Sequence, residues 1–352
     1  MYVNYKITPE NLPNMGILHV DHQKNFRSGH LGSALVAYKK NCVLSFYANC
    51  SATRNEASPG HNGFGWAEFK RSADGGLTWG EPEIVQYTFD AMINEPFTVT
   101  CTGAVSTKED EVVIFCQKNL EPNGWGPYLE PIVLRSEDGG KTWSEPIQVC
   151  DKKGIICDAI VNEGIMYIMM EEIDKDESQK VPRFFLYTSE DSGHTFSLVS
   201  QIPARIHDGY GKLLFLDEGT LACYMYNHED EYHMPYHISR DFGATWAEFG
   251  TTYVAKRVRN VQVAKVKGGY ILHTRGGQKP ELPSDFVIYT SKDGINWDEG
   301  VYITNAPSPK AYYSTTLVLD QEDGSQRVLI QSSVPYDNWA RVNIALWILD
   351  IQ

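Results

Sequence analysis

One short phrase recurs five times in this chain and constrains its architecture more than any other feature. The copies are Ser72-Ala-Asp-Gly-Gly-Leu-Thr-Trp79, Ser136-Glu-Asp-Gly-Gly-Lys-Thr-Trp143, Ser189-Glu-Asp-Ser-Gly-His-Thr-Phe196, Ser239-Arg-Asp-Phe-Gly-Ala-Thr-Trp246 and, one residue shorter, Ser291-Lys-Asp-Gly-Ile-Asn-Trp297. Their serines lie 64, 53, 50 and 52 residues apart. Such a period has room for one four-stranded sheet per copy, the size of a propeller blade. Each copy reads as a hairpin turn. The Asp accepts hydrogen bonds from the turn's own amides, the Gly two positions on supplies a positive φ, and the final aromatic ring is expected to bury between neighbouring strands. β-rich runs precede most copies, as in Trp66-Ala-Glu-Phe-Lys-Arg71 and Phe286-Val-Ile-Tyr-Thr290. An Asp consumed by its own turn builds scaffold and touches no substrate.

The repeats run almost end to end, so residues 1–352 read as a single domain. Segment 311–350 carries no copy but has three strand-like runs, Ser314-Thr-Thr-Leu-Val-Leu, Arg327-Val-Leu-Ile-Gln-Ser and Arg341-Val-Asn-Ile-Ala-Leu-Trp-Ile-Leu. They form a sixth blade short of one strand, which the stretch near Gly16-Ile-Leu-His-Val20 completes, closing the ring and removing sheet edges. The expected fold is an all-β, six-bladed propeller; runs of helical periodicity are missing. In an up-and-down blade, the turns between strands three and four share a face with those between strands one and two. The opposite face carries the remaining loops and the blade-to-blade crossings, and chemistry is expected there.

A formal charge of −14 disfavours nucleic acid and anionic membrane surfaces as partners, while allowing a local cluster of Arg. No apolar run approaches the ~20 residues that span a bilayer. Seven Cys without paired spacing and an N-terminus without an apolar leader core point to a reducing, cytoplasmic setting. No His spacing reads as a metal site, and no cofactor is expected.

The repeated boxes on a six-bladed propeller resemble the sialidases (neuraminidases), from about Phe26 to Leu349. That resemblance implies three Arg gripping a sugar carboxylate, a Tyr nucleophile paired with Glu, and an Asp acid/base. Phe26-Arg27-Ser-Gly is similar to the family's Tyr/Phe-Arg-Ile-Pro, which makes Arg27 the first carboxylate-binding Arg. Arg54, following the strand ending Ser45-Phe-Tyr-Ala, resembles a substrate-facing Arg. Ala311-Tyr312-Tyr313-Ser314 resembles the nucleophile segment, with Tyr313 as nucleophile and Tyr312 beside it in the substrate site. Elsewhere the chain departs from the family. Gly60-His61-Asn62-Gly63 stands where the acid/base Asp is expected, and Tyr226-Asn227-His228 where the second Arg is expected. Ser284-Asp285 replaces the third Arg, and Asp208-Gly-Tyr210 the Glu partner.

The residues themselves offer a second constellation on the same face. Arg259 and Arg275, with Arg257 in a mixed basic run, are placed to rebuild an anion clamp with Arg27. His30, His61, His207, His228 and His233 fall in its loops, where an imidazole suits proton transfer near neutrality. Asp158 and Asp208 open inner strands and complete a catalytic set with Tyr313 and His61; Glu171 and Glu172 are weaker candidates. Tyr210 and Asn227 are expected to contact substrate, and segments 123–128 and 233–236 to offer aromatic platforms to sugar rings. Three functions fit: a sialidase-like exo-glycoside hydrolase acting on a terminal, acidic sugar; a His/Tyr propeller enzyme such as a uronate lyase or rhamnosidase-like hydrolase; or a non-catalytic carbohydrate-binding propeller. Each takes a glycan as its partner.

Overall fold

Runs of β-branched and aromatic residues, cut off every few positions by Gly, Asn or Asp, fold into antiparallel hairpins. The computed structural model describes residues 2–8, 16–53, 64–120, 128–173, 181–276, 286–304, 312–337 and 341–352. Six antiparallel sheets surround a central channel as the blades of a six-bladed β-propeller. The inner strands, blade 1 to blade 6, are Ser33–Lys39, Phe97–Val105, Gly154–Asn162, Asp208–Asp217, Arg259–Val266 and Ser314–Asp320. In blade 1 the short strand Arg27–Ser28 pairs with the same neighbour, Cys42–Ser51, as the inner strand does.

Blade 6 closes the ring. Its strands Ser314–Asp320, Gln326–Pro335 and Val342–Ile351 are joined by two N-terminal strands, Tyr5–Thr8 and Ile17–Val20, which both pair with Val342–Ile351. The outer strand thus arrives from the other end of the chain. No hairpin joins strands three and four here, so there is no turn to carry a sixth box.

One expectation fails. A helix, Gln86–Asn94, lies in the crossing from blade 1 to blade 2, and it accounts for the longest spacing between boxes. Its N-cap, Val85, makes no side-chain capping bond, and only Thr88 and Ala91 are buried. With no cap and so narrow an apolar face, it leaves little periodic signal.

The boxes fold as expected at the turn but reach further than expected. Ser72 Oγ donates to Asp74 (2.8 Å) and accepts from the Gly76 amide (2.8 Å). Asp74 accepts from the Leu77 and Thr78 amides (3.0 and 2.9 Å). Partial burial opposes its ionisation, but these donors and the Thr78 hydroxyl hold the carboxyl down to about 2. The aromatic ring, however, packs between blades rather than between strands of its own blade. Trp143 of blade 2 meets Phe46 of blade 1 at 5.9 Å, Phe196 of blade 3 meets Phe115 of blade 2 at 6.5 Å, and Trp297 of blade 5 meets Tyr224 of blade 4 at 6.4 Å.

The preceding blade in turn holds each box by a backbone carbonyl. Arg71 donates to Gly140 O (2.8 Å), Arg135 to Ser192 O (2.6 Å), Ser200 to Gly243 O (2.6 Å), Tyr224 to Gly294 O (2.9 Å) and Arg327 to Gly75 O (3.2 Å). The boxes are therefore inter-blade staples. They share a face with the strand one-to-two turns, since the Gly75 amide donates to Asn41 O at 2.8 Å and the Gly139 amide to Asp110 O at 2.7 Å. The apolar core is divided among the seams between blades; the seam of blades 6 and 1 centres on Leu35, Val43, Leu319, Leu329 and Ile348.

Candidate functional site

The inner strands begin on the face opposite the boxes, and the backbone there is strained. Phe26 (φ 53°), His207 (φ 70°), Tyr210 (φ 26°), Asn260 (φ 58°) and Tyr312 (φ 67°) adopt left-handed conformations that side-chain-bearing residues avoid. Register shifts interrupt five inner strands, and in blades 3, 4 and 5 they lie near the start of the strand, between Ile156 and Asp158, Gly209 and Gly211, and Arg259 and Gln262. The bulges and left-handed residues at this mouth re-aim the side chains around it, as such features commonly do beside functional sites.

That mouth holds a cavity of ≈ 370 Å³, whose wall includes Glu171, Asp208, Tyr210, Tyr226, Arg259 and Tyr313. Tyr128, from the expected aromatic segment, and His228 also line it. A channel of ≈ 240 Å³ continues down the axis between the inner strands. The upper volume falls within the range of small-molecule sites.

Tyr313 reaches the cavity because the left-handed turn at Tyr312 separates the two rings. Tyr312 instead enters the core of blades 5 and 6, stacked on Phe286 at 5.2 Å with an 11° interplanar angle, which corrects its expected place in the substrate site. Tyr313 Oη accepts from Arg275 Nη2 at 3.0 Å, and the His30 ring stands edge-on to the Tyr313 ring at 4.9 Å. His30 is itself buried. Arg275 is 0 % exposed, so it lies behind Tyr313 and does not line the cavity, a second correction.

Arg259 does line it. Its guanidinium lies over the Tyr226 ring at 5.0 Å and donates to His228 Nδ1 at 3.1 Å. Glu231 Oε1 sits 3.5 Å from the same guanidinium, and Arg257 is 3.7 Å from Glu231 Oε2. Because Arg259 donates to Nδ1, the imidazole's ring proton is fixed on Nε2, which faces Tyr226 Oη at 3.5 Å. Burial, then Tyr313 and Tyr226, push the Tyr210 phenol well above its ordinary range, and burial does the same to Tyr226. Both present neutral hydroxyls.

The other expected residues are engaged by partners within the scaffold. Asp208 borders the cavity but accepts from the Arg205 amide (2.8 Å) and Asn227 Nδ2 (3.1 Å). Asn227 builds that loop, donating also to Ile206 O at 3.2 Å. Asp158 pairs with Lys212 (2.9 Å) and accepts from the Leu213 amide (2.8 Å), on the channel wall. Arg27 donates to Asn49 Oδ1 and Asn49 O (2.5 and 2.6 Å) and stacks on Trp66 at 4.5 Å, within blade 1 and outside the cavity wall. His61 and Arg54 lie outside the described residues. Among the described residues, no group of three His, Cys, Asp or Glu is placed to hold a metal ion.

The structure therefore brings together Tyr313, Arg259, Tyr210, Asp208, His228 and the weaker candidate Glu171, and adds Tyr226. Tyr226 was legible only as a residue standing where a family Arg was expected.

A family described as a BNR repeat-like domain matches residues 161–349. A solved protein of unknown function from Dyadobacter fermentans DSM 18053 is similar, with a TM-score of 0.73 and 14 % identity over 99 % of both chains. The Hadza microbial sialidase Hz136 is similar at a TM-score of 0.69 and 17 % identity, over 94 % of this chain and 68 % of that one. Trypanosoma rangeli sialidase follows at 0.64 and 14 %, over 99 % of this chain but 60 % of its own length. At these identities the likeness is one of fold. No curated protein matches the sequence.

Proposed function

Because the chain belongs to the BNR repeat-like domain family, we propose that it is a sialidase-like exo-glycoside hydrolase that releases a terminal, acidic sugar. One observation carries this reading: Tyr313 stands in the wall of the same cavity as Arg259, with its phenol oxygen held by Arg275. In this mechanism Arg259 grips the sugar's anionic group with its planar fork. Tyr313 Oη passes its proton to a carboxylate of the same cavity wall, Glu171 or Asp208, and bonds to the anomeric carbon as the glycosidic bond breaks. A phenol suits a centre that bears a nearby carboxylate, because a charged nucleophile would be repelled. The leaving oxygen takes its proton from His61, the residue at the acid/base position of the sialidase resemblance, and water then releases the sugar.

The test is a screen of fluorogenic glycosides of sialic, uronic and neutral sugars. In Tyr313→Phe, turnover of the substrate found should fall by about 10³-fold or more while binding persists. Full activity in that variant removes Tyr313 from the mechanism. A second reading, a His/Tyr lyase acting on uronates, is favoured by the contact of His30 with Tyr313 and by His228 in the same cavity. An ultraviolet absorbance rise from an unsaturated product would select it. Binding without turnover of any substrate would leave a carbohydrate-binding propeller.

A further inference from the structure

We propose that Arg275 is a positioning residue for Tyr313: a buried guanidinium, tied to Asn260, that seats the phenol oxygen and stabilises negative charge as it builds there. The inference rests on reading Tyr313 as the reactive group of the cavity.

Arg275 is 0 % exposed, yet among the described residues no carboxylate pairs with it. Its Nε donates to Asn260 Oδ1 at 2.8 Å and its Nη2 to Tyr313 Oη at 3.0 Å, while Nη1 meets no acceptor among the described residues. The guanidinium carbon lies 4.3 Å from the Tyr313 ring centroid. A cation taken out of water without a counter-charge weakens the fold, so a purely structural role would favour an apolar side chain or a paired one. Asn260 deepens the point, because it holds Arg275 from a left-handed backbone at φ 58°. Two unfavourable features thus converge on one hydroxyl.

The strand that carries Arg275 also fixes the backbone just beyond Tyr313. His273, two residues earlier on Gly269–Arg275, contacts Ser314 Oγ through Nδ1 (3.2 Å) and Thr316 Oγ1 through Nε2. Blade 5 therefore sets where the inner strand of blade 6 begins. The Arg275 donor occupies one lone pair of Tyr313 Oη and leaves the other for the cavity. A preorganised donor of this kind acts where charge develops and needs no rearrangement during the reaction.

The test uses an aryl sulfonyl fluoride on the folded protein, read residue by residue by mass spectrometry. The phenol oxygen bonds to sulfur, the sulfur–fluorine bond breaks, fluoride leaves and the phenol proton passes to solvent. Tyr313 should be labelled in the wild type. Arg275→Met should slow that labelling by about 10-fold or more, and Arg275→Lys should restore part of it. Labelling of the exposed Tyr232 and Tyr253 should not change. Arg275→Met should also melt no lower than the wild type, since it removes an uncompensated buried cation. Asn260→Gly keeps the left-handed backbone, removes the Oδ1 acceptor and should slow labelling by a smaller factor.

Wild-type labelling that spares Tyr313 overturns the proposal, as does labelling of Tyr313 in Arg275→Met at the wild-type rate. Lower melting of both Arg275 variants with Tyr313 labelling unchanged also overturns it and leaves Arg275 a structural residue. The readout needs no glycan. Labelling that depends on Arg275 in a protein that cleaves no glycan would therefore remove the hydrolase reading and keep this one. Conversely, turnover lost in Tyr313→Phe but intact in Arg275→Met would remove this one alone.

Discussion

Gly76→Ala should be distinctly more damaging than Gly324→Ala, although both glycines have left-handed backbones, at φ 87° and 80°. An added Cβ in that conformation costs ~1–2 kcal/mol at either position. Only at Gly76 does it also collide with the neighbouring blade. The new carbon would lie 2.5 Å from Leu329 Cδ1, 2.9 Å from Cδ2 and 3.3 Å from Cγ, whereas among the described residues nothing lies within 4 Å at Gly324. Leu329 is fully buried in the seam of blades 6 and 1, packed among Leu35, Val43, Leu319 and Ile348, so any shift it makes to admit the new carbon presses on that seam. Overpacking of this kind adds ~1–3 kcal/mol, which gives ~2–5 kcal/mol for Gly76→Ala against ~1–2 kcal/mol for the control. An unfolding entropy of ~2.1 cal/mol/K per residue converts these into losses of ~3–7 °C and ~1–3 °C in melting midpoint. Thermal melts followed by circular dichroism, checked by urea titration, would measure both. If the two variants melted within ~1 °C of each other, the box would not be pressed onto the adjoining blade, and the account of the boxes as staples would fail.

Two further outcomes test the site and its support. Arg259→Ala should raise KM for an acidic substrate by ~10–100-fold with a smaller effect on kcat, and Arg259→Lys should not rescue it, because a stacked fork is not replaced by a point charge. An unchanged KM would take Arg259 out of substrate binding. His19 and His273 are pushed down to about 3, by burial first and then by Lys70 and Lys212 respectively. The unfolded chain takes up these protons near pH ~6.5, so stability should fall by ~1.4 kcal/mol per pH unit for each His as the pH drops from there toward about 3. Urea denaturation of His273→Gln across that window should lose one such increment of slope; an identical slope would show that His273 is not held neutral in the native state.

Much of the scaffold was legible because the boxes are local. A turn in which Asp74 is capped by its own amides needs no distant information, and five copies at a near-constant period imply a ring. The partner of each box ring was not legible, since Trp143 packs on Phe46 across a seam that no local pattern encodes. The cavity was legible as a face, and at Tyr313, Arg259, Tyr210 and Asp208 as residues of its wall. It was not legible at Tyr312, where a left-handed turn exchanges inward for outward, or at Arg27, whose guanidinium is taken up by Asn49 and Trp66. Alternation along a strand names the face of each residue only while the register is regular, and the bulges at Asp158, Tyr210 and Arg259 reset it where the side chains of the cavity and channel stand.

The pairing of Tyr5–Thr8 with Val342–Ile351 has a consequence for how the molecule comes into being. Blades 1 to 5 each draw on a nearly contiguous stretch of chain and can form as they emerge during synthesis. The last sheet cannot, because its outer strand is made first and its partner last. Joining ends more than three hundred residues apart in a floppy chain costs roughly 5 kcal/mol of closure entropy, but five preformed blades hold those ends close and remove most of that cost. Closure then resembles the docking of two prepared surfaces, and the polar edge of Val342–Ile351 stays open until it happens. A newly made chain spends that interval with an unpaired edge strand, and its risk of joining a second copy by exchanging N-terminal strands is concentrated there.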